Sequence, residues 1–131
     1  MAGMILDSGG TIKMKALDDA LLLLQRINGL VENYALNAKK GVPSAGIIQN
    51  IKRQLTTMAA NLKNHFGMIS DLVTNVYINS SRGSNDQTKV RTLREGLAQI
   101  KQAIEIGTVQ TIAKHQVVKH KAEKPGEGAA T

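Results

Sequence analysis

The chain has 131 residues, 42% of them apolar and only 2% aromatic, with no cysteine and no tryptophan. That is one domain's worth of chain; it excludes disulfide and thiolate-metal chemistry and leaves Leu, Ile, Val, Ala and Met to fill the core, a set suited to helix-on-helix packing rather than to an aromatic-lined ligand pocket. The formal net charge of +7 favours polyanions as contacts, and no apolar run approaches the length of a membrane span.

In chain order, Met4-Ile5-Leu6, Asp7-Ser8-Gly9-Gly10 and Thr11-Ile12-Lys13-Met14 read as strand, turn and strand of a small β-hairpin, with an unstructured arm as the alternative. A first helix is predicted to begin between Lys15 and Asp18 and to run to about Lys39. Its stripe, Leu17, Ala20, Leu24, Ile27, Val31, Tyr34 and Ala38, returns at steps of three and four, and Asp18-Asp19 and Lys39-Lys40 complement the helix dipole at the two ends. The period carries on across Asn28-Gly29. Leu21 to Leu24 wrap most of the helix circumference, so one face cannot bury all four; Leu21, Leu22 and Leu23, with Met4, Ile5 and Leu6, are candidate contacts with another subunit.

Gly41-Val42-Pro43-Ser44 punctuates the end of one helix and the start of the next. The second helix carries Ile48, Ile51, Leu55, Met58, Leu62, His65, Ile69, Leu72 and Val76, an unbroken heptad phase that predicts one continuous helix to about Asn79, bent at Gly67 or broken there. His65 falls on that stripe and is expected to be buried. Asn79 to Asp86 reads as a loop, with Ser84 and Gln87 as a capping box. The third helix carries Val90, Leu93, Leu97, Ile100 and Ile104, and its stripe shifts after Gly107 to Val109, Ile112, Ala113 and Val117. The remainder is a polar tail.

The expected fold is therefore all-α: an antiparallel bundle of three long helices, four if the second breaks at Gly67, over residues 15–119, with an N-terminal arm or hairpin (1–14) and a polar tail (120–131). Catalytic constellations are lacking, so the chain is not expected to be an enzyme. Gly41-Val-Pro-Ser-Ala-Gly46 has the glycine spacing of a phosphate loop but no following Lys and hydroxyl to hold phosphate and magnesium. His115 and His120 do not share a helix face and make a poor metal pair. No cofactor is expected.

Charge is the remaining signal. From Asn33 to Ser70 there are five Lys or Arg and no acid. Lys52, Arg53 and Lys63 on the second helix, Arg91, Arg94 and Lys101 on the third, and Lys114, Lys119 and Lys121 beyond are candidate contacts for nucleic-acid backbone, which would be sequence-blind and salt-dependent. Two functions follow as expectations: a non-enzymatic structural or assembly protein that self-associates or scaffolds a helical partner, or a basic structural protein on nucleic acid, such as a coat, filament, nucleoid or ribonucleoprotein subunit. Small residues (Gly29, Ala59, Ala60, Gly96, Gly107) would allow close approach at such contacts. Membrane binding is disfavoured by the lack of apolar anchors. With no targeting signal seen, a soluble protein, intracellular or within an assembled particle, is expected.

Overall fold

The aliphatic stripes do form helices. The computed structural model describes residues 6–82 and 85–116, and 89% of these are helical, in α1 (Ser8–Lys40), α2 (Ala45–Leu62), α3 (Gly67–Arg82) and α4 (Asp86–His115). The protein is all-α, with no strand among the described residues. Met4, Ile5, Lys119, Lys121 and the tail expected over 120–131 lie outside them.

The stripe on α1 is buried as expected from Leu17 to Tyr34, and the helix passes straight through Gly29. At ~1.5 Å per residue its 33 residues make a rod of about 50 Å. It ends on Gly41, whose φ of +69° is left-handed; Gly41 N–H donates to Ala38 O and Val42 N–H to Asn37 O, the paired bonds that satisfy the last carbonyls of a helix. The start differs from expectation. Asp7-Ser8-Gly9-Gly10 is not a turn and Thr11–Met14 is not a strand: Asp7 accepts the Gly10 N–H at 2.7 Å as N-cap, and the helix begins at Ser8. An aspartate before a small-residue run serves as a helix start as readily as a hairpin turn. Asp18 and Asp19 accordingly lie three turns in, where Asp19 pairs with Lys15.

The predicted continuous second helix is overturned. α2 stops at Leu62, a turn spans residues 63–66, and α3 starts at Gly67. Ser70 Oγ donates to Ala59 O at 2.8 Å, whereas eleven residues of straight helix would hold those positions about 16 Å apart. The chain has folded back. Because the turn is four residues long, Leu62 and Ile69 remain seven apart and the heptad phase survives the break, so the alternative of four helices holds. His65 sits on this turn and is exposed. The other stripe positions from Ile51 to Val76 are buried, Leu72 partly so.

Each helix packs against two others: α1 against α2 and α4, α3 against α2 and α4. The pairings Asp7–His115, Glu32–Arg94 and Tyr34–Asp86 descend along α4 as they rise along α1, so these two run antiparallel. Eighteen apolar residues, from Leu17 to Ile104, form one connected core. On α4 the buried stripe does not shift at Gly107; it continues in phase through Gly107 and Thr111, leaving Val109 67% exposed. The α4 N-cap is Asn85, which accepts the Thr88 N–H at 2.8 Å, one residue beyond the expected Ser84.

Two glycines test this packing in opposite directions. A Cβ at Gly96 would fall 2.6 Å from Val76 Cγ2, and one at Gly29 would meet nothing within 4 Å. Gly96→Ala is expected to destabilise by about 1–3 kcal/mol through overpacking, less the helix-propensity gain. Gly29→Ala, which has only the propensity gain, is expected to stabilise by about 1 kcal/mol. Denaturant melts followed by circular dichroism measure both.

Candidate functional site

Polar side chains converge most closely where α4 ends against the start of α1. Asp7 caps α1 and is bound there twice: its amide donates to His115 O at 3.1 Å, and its Oδ1 lies 3.0 Å from His115 Nδ1. On the far side of the ring, Lys13 Nζ stands 3.2 Å from His115 Nε2. An ammonium only donates, so Nε2 accepts and Nδ1 carries the proton toward Asp7. Aspartate, imidazole and ammonium thus form one relay with a fixed tautomer. Leu6 adds an antiparallel bridge to Gln116. Gly10 makes the approach possible, since a Cβ there would fall 2.4 Å from His115 Cβ.

Beside this relay is a cavity of about 360 Å³ lined by Lys13, His65, Phe66, Gly107, Gln110, Thr111, Lys114 and His115. Lys13 comes from α1, His65 and Phe66 from the α2–α3 turn, and the rest from α4. The Gly10 amide first, helped by the hydrogen bond from His115 and the nearby Lys13 charge, holds the Asp7 carboxyl below the usual aspartate range, although desolvation opposes them.

A second polar region lies where α1 ends and α4 begins. Arg94 forks onto Glu32, with Nη2 to Oε1 at 2.7 Å and Nε to Oε2 at 3.1 Å, which holds the Glu32 carboxyl low. Tyr34, 2% exposed, donates its hydroxyl to Asp86 at 2.6 Å; burial and that carboxylate push the phenol well above its usual range. The groove here, about 1010 Å³, is lined by three acids (Glu32, Asp86, Glu95) and three bases (Lys39, Arg91, Arg94).

That balance dilutes the basic stripe read on α4. Arg91, Arg94 and Lys101 are exposed, but Arg94 is committed to Glu32 and Arg91 shares its groove with acids. Lys114 is exposed at the cavity. On α2, Arg53 is exposed and Lys52 half-buried; Lys63, just past the helix end, is exposed, and α2 contains no acid. Of the leucines offered for another subunit, Leu22 is 56% exposed, while Leu21 and Leu23 pack partly against the core. Leu6 is half-buried and bridged to Gln116.

The Asp7–Lys13–His115 relay escaped the sequence because 102 and 108 residues separate its partners. The available signal was local: Asp before Ser-Gly-Gly is an N-cap pattern, and two successive glycines leave room for a neighbour. No group of three or more His, Cys, Asp or Glu residues suited to a metal occurs among the described residues.

Because the Asp7 and Glu32 carboxyls are held low in the folded chain, it binds fewer protons there than the unfolded chain does. Their contribution is complete above the usual carboxylate range and is lost as pH falls through their depressed values. Stability is therefore expected to decline on acidification below about pH 4, and Asp7→Asn and Glu32→Gln should each flatten that decline in pH-dependent melts. Compared with family models, curated proteins and solved structures, the chain matches none, so the functional reading rests on this geometry.

Proposed function

We propose that the chain is a non-enzymatic helical assembly protein: an antiparallel bundle of four helices that self-associates or scaffolds a helical partner. The supporting observation is what stays outside once the core has closed. Leu22 and Leu36, 56% and 52% exposed, are two heptads apart on one side of α1. Ile106 and Val109, 51% and 67% exposed, stand about one turn apart on α4. Aliphatic side chains at helical spacing on outward faces are the anchors by which one helix lies against another. Sedimentation of nuclease-treated protein at micromolar concentration is expected to give a multiple of 14.1 kDa, and Leu22→Lys or Val109→Lys should return it to a single chain. A monomeric mass that no helical partner raises would overturn the proposal.

A second reading, contact with nucleic-acid backbone, is favoured by α2. Lys52, Arg53 and Lys63 follow Lys39 and Lys40 with no acid among residues 34–70, so charge there accumulates without local neutralisation. Binding to random-sequence duplex or RNA, followed by fluorescence anisotropy from roughly 50 to 300 mM salt, is expected to weaken steeply as salt rises. Reversing Lys52, Arg53 and Lys63 to Glu should abolish it, whereas Arg94→Glu should change it little, because Arg94 already faces Glu32. Absence of binding at the lowest salt ends this reading.

A further inference from the structure

We propose that the cavity beside the Asp7–His115–Lys13 relay is a binding site for a small phosphate-bearing anion. Lys13, His65 and Lys114 line it, beside His115, whose two ring nitrogens are already held by Asp7 and Lys13, and its lining contains no acid. They arrive from three places in the fold. Lys114 and His115 alone would be explained by the negative end of the α4 dipole; Lys13 from α1 and His65 from the α2–α3 turn are not. That dipole end is worth about half a charge, and two lysine charges outweigh it.

The donors are also available. Lys13 places one N–H on His115 Nε2 and keeps two more. Among the described residues neither Lys13 nor Lys114 has a carboxylate partner. Asp7 is turned to the opposite ring nitrogen of His115 and to the Gly10 amide. Thr111 is 4% exposed and lines the cavity; its hydroxyl is a short neutral donor of the kind that complements lysine at a phosphate oxygen. Phe66 supplies an apolar wall. A volume of about 360 Å³ admits a phosphate with a small organic group and excludes a folded polymer. The relay restrains Lys13 at the cavity: His115 is held by Asp7, and one ammonium N–H is placed on its Nε2.

This inference does not depend on assembly or on α2. Its test is titration of the whole chain with inorganic phosphate and, separately, O-phosphoserine at constant ionic strength, read by calorimetry and by the imidazole resonances of His65 and His115. One-to-one saturable binding that moves both histidines is expected. Lys13→Met and Lys114→Gln should each weaken it about tenfold, the loss of one charge-assisted hydrogen bond, and Thr111→Val should weaken it less; Arg26→Gln, on an exposed part of α1, should leave it unchanged. Lys114 is exposed, so that variant reports even if Lys13→Met fails to fold. Unsaturable uptake, or equal affinity in the Lys114 variant and the parent chain, overturns the site. Displacement of the bound phosphate by random-sequence RNA with the same residue dependence overturns it too, in favour of backbone contact.

Discussion

Mutual covering of four aliphatic stripes is the constraint on which the rest of this structure depends. With so few aromatic residues, no single side chain can anchor a core, and stability must come from many Leu, Ile, Val and Met contacts at close range. Close range requires small residues where helices meet. Gly96 lets Val76 approach α4, and Gly107 lies against Leu17, Ile69 and Phe66. Of the small residues expected to serve contacts between subunits, Gly96, Gly107 and Ala59 are used within the chain, whereas Ala60 is exposed and Gly29 faces nothing. The long seams, once covered by their own neighbours, no longer demand a partner; what remains for a partner is the smaller outward set on α1 and α4.

The same packing fixes the polar ends of the α1–α4 pair. At one end Tyr34 and Asp86 join with the Glu32–Arg94 fork alongside; at the other Asp7 and Lys13 hold His115 between them. The Glu32–Arg94 fork adds little as an exposed ion pair. The effect of all these contacts is on register: a slip of α4 by one turn would separate them at once. At the His115 end, Gly10 lets the imidazole lie against the first turn of α1, and a cavity lined by basic groups is left beside it.

Surface charge is partitioned by the fold in a way that net charge does not disclose. Acids and bases alternate along the groove between the end of α1 and the start of α4, so that region is close to neutral. The basic excess concentrates instead on α2 with its flanks and at the cavity. The proposed assembly through apolar faces, polyanion contact through α2 and small-anion binding at the cavity therefore involve different parts of the molecule and can be tested by different substitutions.

The sequence by itself determined the class of the fold and most of the core: the three-and-four spacing of α1, of α2 and α3, and of α4 as far as Ile104 marks residues that are buried, whereas the shift expected after Gly107 does not occur. Local chemistry likewise determined the stop at Gly41, since a left-handed residue there needs no distant partner. What only the tertiary structure decided were the events that local pattern leaves degenerate. A four-residue turn at 63–66 preserves heptad phase, so the fold-back between α2 and α3 is invisible to periodicity, and His65 leaves the stripe with it. Asp7-Ser-Gly-Gly fits a turn or a helix cap, and the approach of His115 from the far end of the chain selects the cap. The pairing of Arg94 with Glu32, and the convergence of Lys13, His65 and Lys114 on one cavity, likewise join residues dozens of positions apart, and no spacing rule reaches that far.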